Sequence, residues 1–358
     1  MRPDILPAFV APGAGRPATP ARIDSVKIFV TGVAGFLGSH LADAFLADGH
    51  AVIGVDNMIG GHLDNVPDKV DFHQVDCCQF DTMSRLTEGC DVVYHCAATA
   101  YEGLSMFSPH LVTRNIVDAS VSVLSAAIQN RVGRIVYCSS MARYGKNQVP
   151  FLETYATKPE DPYGIGKVAV EDILKNLCAV HGAAWVIAVP HNIIGPRQKY
   201  DDPYRNVAAI MINLMLQGRQ PIIYGDGRQK RCFSFIDDCV YCLKEMAFRE
   251  SVVGETINIG PDEEFTEIIE LAEIIANLVG FNLNPVHMAD RPQEVKMATC
   301  SADKARRLLN YETTVPLREG LQQMINYIQK RGPTPFKYHL DLEIINDKTP
   351  KTWSERLL

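Results

Sequence analysis

A short apolar run, SVKIFV (Ser25 to Val30), leads directly into TGVAGFLG (Thr31 to Gly38), and SHLADAFLADG then reads as an amphipathic helix. Gly32, Gly35 and Gly38 therefore fall as G-x-x-G-x-x-G at a strand-to-helix turn. No other feature constrains the fold as strongly. Glycines there permit a tight turn and the close approach of a pyrophosphate to the helix N-terminus. A second strand-like run, AVIGVD, ends at Asp56, 24 residues after Gly32. A carboxylate at that place accepts both hydroxyls of an adenosine ribose and repels a 2′-phosphate. The next residues, Asn57, Met58 and Ile59, include no arginine. The unit is thus predicted to bind NAD rather than NADP. Asp76, after VDFHQV, is a further candidate, facing the adenine.

Strand and helix patterns alternate up to about residue 190. After AVIGVD come VDFHQVD, CDVVYHCAA, a helical stretch from about Pro109 to Asn130, and RIVYCSS. A loop through Pro150 and Pro159, a helix from about Pro162 to His181 and the strand AAWVIAVP complete the series. The pattern predicts an α/β protein with a Rossmann-type, doubly wound parallel sheet. Beyond it, GPRQKYDDPYRN, PIIYGDG and ADRPQEV break the alternation, with helices expected at about Val207 to Gln217 and Phe265 to Val279. The expected organisation is a flexible leader (1–25), an NAD-binding domain (26–190, with returns at about 230–262), a smaller, discontinuous mixed α/β substrate lobe (191–229 and 263–330), and a partly ordered C-terminal tail (331–358).

The formal net charge of -7 argues against a nucleic-acid partner. No apolar run approaches membrane-spanning length, and the Pro- and Ala-rich residues 1–25 lack the apolar core of a signal peptide. Ten cysteines are scattered without paired spacing. Cys96, Cys138 and Cys178 sit in apolar runs, where free cysteine behaves as a small hydrophobe. Cys239 and Cys242 form C-x-x-C inside the apolar run DDCVYCLKEM, with no second pair or histidine cluster beside them, so no metal site is expected. Reduced thiols imply the cytoplasm.

Tyr163 and Lys167 form a Y-x-x-x-K pair (YGIGK), with Ser140 23 residues upstream of Tyr163 in YCSSMARYG. On a helix, Tyr163 and Lys167 lie one turn apart on one face. A lysine ammonium beside a phenol favours the phenolate. A nearby serine relays a proton or binds an oxyanion. This is equipment for moving a proton on or off a carbinol oxygen, which also requires a hydride acceptor.

The glycine turn, Asp56, HCAA (His95 to Ala98), Ser140 and YGIGK together resemble the extended short-chain dehydrogenase/reductase family. Within it, the chain is similar to nucleotide-sugar epimerases and dehydratases, above all UDP-glucose and UDP-N-acetylglucosamine 4-epimerases. The resemblance covers about residues 26–330. It implies an NAD site that also includes Phe36, Leu37, Asn57, Cys77, Cys96, Ala97, Ala98, Asn115 and Pro190, with Lys167 binding the nicotinamide ribose. It further implies that Asn192 of HNIIG touches the sugar or a phosphate, and that Asn206 and Val207 of RNV contact the pyrophosphate. Ile222 and Tyr224 of PIIYGDG would flank the base. Arg231 of RCFSFIDD and Arg291 of RPQEV would hold phosphates, with Glu294 on a ribose hydroxyl; guanidinium forks suit phosphate oxygens. The chain departs from the family pattern at Ala98, Asp118, Gly166 and Val189.

In that family the transient 4-keto sugar is epimerised, dehydrated or decarboxylated. Dehydratases carry Asp-Glu after the serine, and decarboxylases usually carry Glu at the second of these positions. Here the two residues are Met141 and Ala142, which favours epimerisation. Ala298, seven residues after Arg291, matches a gatekeeper whose small size admits a 2-acetamido group. Tyr101 and Glu102 are expected to face the sugar, with Arg143 or Arg205 able to offset the acid. Readings kept open are a 4,6-dehydratase, a decarboxylase, a keto-sugar reductase and, in another class, a non-catalytic NAD-binding regulator. Family relatives dimerise through the two long helices, so a homodimer is expected.

Overall fold

A computed structural model of the chain describes residues 25–289 and 297–358. Seven strands form one sheet: β1 (Lys27–Thr31), β2 (Ala51–Asp56), β3 (Asp71–Gln74), β4 (Val92–His95), β5 (Arg134–Cys138), β6 (Ala184–Pro190) and β7 (Thr256–Ile259). Their spatial order is β7-β6-β5-β4-β1-β2-β3, and every pairing is parallel. Parallel strands covered on both faces must be apolar throughout, which is why KIFVT, AVIGVD and RIVYC lack strict alternation. The order reverses between β1 and β4, where Thr31 stands in register with both Val55 and His95. Ligands bind outside the carboxyl ends of strands at such a switch point.

One face of the sheet is covered by the helices Phe36–Ala47 and Ile236–Phe248, through side chains such as Leu41, Phe45, Cys239 and Leu243. The other is covered by the helical run Pro109–Gln129 and the helix Pro162–His181, through Val123, Leu124, Val170 and Leu174. The latter helix has well-marked ends. Asp161 accepts the Gly164 N–H at 2.9 Å, Pro162 stands in the first turn, and Gly182 closes it at φ 74°.

Two expectations change. The run Pro109–Gln129 is, at 21 residues and a mean hydropathy of 1.3, long and apolar enough to cross a membrane by length and composition. Its apolarity serves burial instead: Val112, Ile116, Val123 and Leu124 are fully covered within the protein. The second concerns the C-terminal residues. Rather than a partly ordered tail, residues 333–358 pack along the substrate side, anchored by Leu340 and Trp353 in a cluster with Tyr101, Leu104, Phe107 and Tyr204. The Trp353 and Tyr204 rings lie 5.4 Å apart in edge-to-face contact. All ten cysteines are free. Cys239 and Cys242 are fully buried on one helix, and no group of metal-ligating side chains forms among the described residues.

Candidate active site

A single cavity of about 920 Å³ lies beyond the carboxyl ends of β1, β4, β5 and β6. All the described residues expected at a cofactor or substrate site line it. On the sheet side are Gly32, Gly35, Phe36, Leu37, Gly38, Asp56, Asn57, Asp76, Cys77, Cys96, Ala97, Ala98, Asn115 and Pro190. Ser140, Tyr163 and Lys167 line the cavity too, as do Tyr101, Glu102, Asn192, Asn206, Val207, Ile222, Tyr224, Arg231 and Ala298. Arg291 and Glu294 lie outside the described residues.

The glycine turn is built by close backbone approach. Gly32 adopts φ 73° and donates its N–H to the Val55 carbonyl at 2.8 Å. A methyl at Gly38 would lie 2.2 Å from the Gly32 carbonyl oxygen, and one at Gly32 would lie 3.0 Å from the Ala97 backbone. The result is a bare surface at the N-terminus of the helix Phe36–Ala47, which fits a pyrophosphate. Asp56 Oδ2 accepts the Ala34 N–H at 3.1 Å, and Oδ1 accepts the Met58 N–H at 2.7 Å. Burial raises the Asp56 pKa, against these hydrogen bonds. Each oxygen retains acceptor capacity for a ribose hydroxyl. Asp76 accepts from the Cys78 N–H at 2.8 Å and from Asn57 Nδ2 at 3.3 Å. The cradle and the carboxylate together suit the diphosphate and adenosine ribose of NAD.

Beneath this floor runs a buried polar chain that the sequence did not announce. Thr31 Oγ1 meets His95 Nδ1 at 2.8 Å, and His95 Nε2 meets Ser120 Oγ at 2.8 Å. The Ala97 N–H donates to Thr31 Oγ1 at 3.0 Å. Burial, with a smaller push from Lys167, lowers the His95 pKa to about 3, so the ring is neutral. Asn115 sits on the π-helical turn Arg114–Asp118 and donates to Thr99 Oγ1 at 2.9 Å. The departure at Gly166 has a packing reason, since a methyl there would lie 3.2 Å from Ile116 Cγ2.

Ser140 ends the loop after β5 and caps the short turn Met141–Arg143, accepting the Ala142 N–H at 3.2 Å. Tyr163 and Lys167 share the inner face of the helix Pro162–His181. Lys167 does not reach the phenol directly. Its ammonium donates to the Cys138 carbonyl at 2.8 Å and stands 5.9 Å from the Tyr163 ring centroid. Burial therefore prevails over the expected lowering: the Tyr163 phenol is pushed up, with a hydrogen bond from Ser140 pulling it down. Burial also lowers the Lys167 pKa to about 8.

On the substrate side, Asn206 caps the helix Val207–Leu216 by accepting the Ala208 N–H at 2.9 Å, so that helix start faces the cavity. Asn192, at φ 37°, donates to the Cys232 carbonyl at 3.1 Å. Ala298 pairs in register with Arg231, and both residues line the cavity. Tyr101 is buried, with its hydroxyl on Asp202 Oδ2 at 2.6 Å and the Arg205 guanidinium 4.5 Å above its ring. Arg143 is not available to a ligand: it is buried against Glu171 at 2.8 Å, and Glu171 also accepts the Ser139 hydroxyl at 2.5 Å. Arg205, expected above only as an offset to Glu102, is a cavity residue, and so are His191 and the tail residues Lys348, Thr352 and Trp353, which sequence reasoning missed. Only YDDPYRN carried a signal for the first of them, as acids and aromatics around an arginine.

Comparison with known proteins agrees with this arrangement. The UDP-glucose 4-epimerase of Mycolicibacterium smegmatis is 32% identical over 317 residues, covering 86% of this chain and all of that protein. UDP-glucuronic acid decarboxylase 1 of Xenopus tropicalis is 31% identical over 314 residues, covering 86% of this chain and 73% of that one. The crystal structure of a UDP-glucose 4-epimerase with UDP-glucose from Thermotoga maritima superposes with a TM-score of 0.80 at 29% identity, covering 85% of this chain and 99% of that one. Residues 28–260 match a family model, and the chain belongs to the NAD dependent epimerase/dehydratase family.

Proposed function

We propose that this chain is an NAD-dependent 4-epimerase of a nucleotide sugar, with a UDP-hexose or UDP-N-acetylhexosamine as substrate. The observation that carries the reading is the placement of Ser140, Tyr163 and Lys167 in one cavity with both the dinucleotide cradle and the substrate stations. Bound NAD supplies reversible oxidation at a carbinol carbon. The protein's part is to hold and move the proton. Tyr163 takes the proton of the sugar hydroxyl, with Ser140 hydrogen-bonded to its oxygen. Burial holds the Tyr163 proton; Lys167, fixed by the Cys138 carbonyl and charged below about pH 8, would ease its loss together with the positive nicotinamide that bound NAD would bring.

Met141 and Ala142 line the cavity next to Ser140 and bring no acid or base to C5 or C6 of a keto sugar. Return to the opposite face of the sugar is then the open course, and decarboxylation of a hexuronate is the second reading. Ala298 leaves room beside C2 for an acetamido group. The same reading places the phosphates near Arg231 and the start of the helix Val207–Leu216. It also assigns the protein to the cytoplasm, as a homodimer through the helices Pro109–Gln129 and Pro162–His181. Ile165 and Val180, 54% and 77% exposed on the latter, support that interface.

The test is incubation of the purified protein, without added cofactor, with UDP-glucose, UDP-N-acetylglucosamine and UDP-glucuronate, followed by NMR of the products. C4 epimers without net NADH are expected. Loss of carbon dioxide or stoichiometric NADH would overturn the reading. Replacement Tyr163→Phe should lower turnover about 10²–10⁴-fold while the cofactor stays bound.

A further inference from the structure

The relatives named above leave about a seventh of this chain unmatched, and residues 333–358 form a strap that joins the two sides of the cavity. On the sheet side, Glu343 accepts the N–H groups of His110 and Leu111 at 2.9 and 2.8 Å, and the Ile344 N–H donates to the Phe107 carbonyl at 2.9 Å. On the substrate side, Trp353 Nε1 donates to the Pro203 carbonyl at 3.3 Å, and Arg219 donates to the Leu357 carbonyl at 3.1 Å. Between these anchors, Asn346, Lys348, Pro350, Thr352 and Trp353 face the cavity. Thr352 Oγ1 lies 2.5 Å from the hydroxyl of Tyr224, the ring assigned to the base. Among the described residues, the Lys348 ammonium has no carboxylate partner.

We propose that this strap is a working part of the substrate site, completing the wall against which the nucleoside diphosphate portion of the substrate docks. The inference rests on the nucleotide-sugar reading and extends it to a segment that reading did not use. Thr352 holds the hydroxyl end of the Tyr224 ring, and so helps to set the tilt of the face offered to a base. Trp353 holds Thr352 in place by filling the space between Phe107 and Tyr204, with ring centroids at 6.0 and 5.4 Å. Lys348 adds a cation to the edge of a cavity that would receive a diphosphate, where a point charge is favourable without bidentate geometry. The strap thus makes specificity for the nucleotide a property of the C-terminal residues as well as of Tyr224.

The experiment measures binding of UDP to the purified holoenzyme by calorimetry, with GDP, CDP and dTDP alongside. Thr352→Val keeps the buried shape and removes the hydroxyl, and Lys348→Ala alters an exposed position, so both should fold. Each is expected to weaken binding of the preferred nucleotide about five- to tenfold, and the Lys348→Ala loss should shrink at high salt. NAD content, measured after denaturation, should equal that of the parent. A parent that binds UDP together with variants that bind it equally well overturns the strap proposal alone. A parent that binds none of the four nucleotides overturns the nucleotide-sugar reading, and the strap proposal with it.

Discussion

Lys167 donates to the Cys138 carbonyl at 2.8 Å, so the last residue of β5 holds the ammonium inside the cavity. The ammonium is fully enclosed, and its pKa of about 8 lies below the ordinary 10.5. The folded state therefore holds the proton less tightly than the unfolded chain does. The resulting destabilisation is on the order of 3 kcal/mol, fully present below pH 8 and relieved as pH rises towards 10.5. Lys167→Met should be inactive as holoenzyme, and in cofactor-free protein it should be at least as thermally stable as the parent at pH 7. Its relative advantage should fade between pH 8 and pH 10. Circular-dichroism melts across that range test this, and a variant markedly less stable at pH 7 would refute it.

Gly38 sets a second expectation. A methyl there would lie 2.2 Å from the Gly32 carbonyl oxygen, a backbone atom that cannot swing away. Gly38→Ala should cost about 3 kcal/mol of stability and release the cofactor, because the turn must open to admit it. Gly218→Ala is the comparison for a left-handed position with open space, at φ 73°. It should cost less and leave the cofactor in place. Urea midpoints and cofactor content measured on both variants decide the matter.

The enclosed pair Arg143 and Glu171 supports the loop that carries Ser140. Removing one charge strands the other, so Glu171→Gln should lose about 3–5 kcal/mol. The double replacement Arg143→Met with Glu171→Met should recover most of that loss. If the single variant proves no less stable than the double, the pair is not what holds the loop. Chemical denaturation of the three proteins provides the measurement.

Two histidines make the fold acid-sensitive. Burial lowers His191 to about 4 and His95 to about 3, while each ring in the unfolded chain takes a proton near 6.5. Stability is therefore lost as pH falls from 6.5 towards 4, by about 1.4 kcal/mol per pH unit for each ring. His191→Phe removes one of the two contributions. Its stability should decline less steeply than the parent's between pH 6.5 and 5 in urea titrations, and equal slopes would count against this account.

How much of this was legible in advance depended on the kind of signal. The glycine turn, Asp56 and the Tyr163–Lys167 pair were readable because their chemistry demands fixed residue types at fixed spacing. The parallel sheet was readable from its apolar runs. The Lys167–Cys138 contact was not, because it depends on where a helix meets the end of a strand 29 positions earlier in the chain. The packing of residues 333–358 escaped for a related reason: KYHLDLEIINDKTPKTWSERLL has no helical or strand period, and only its contacts with Phe107 and Tyr204 give it a place. Likewise, length and composition alone do not distinguish Pro109–Gln129, packed on the sheet, from a membrane helix.

Arg205 connects two parts of the cavity. A methyl on Gly60, in the loop after Asp56, would lie 2.1 Å from its guanidinium, while the same group covers the Tyr101 ring and pairs with Asp202 at 3.4 Å. Its charge acts on Asp56 and on Tyr163 alike. Two ligands bound on these two sides of the cavity would both act on this one side chain. Whatever factor the first imposes on the affinity of the second, the second must impose on the first.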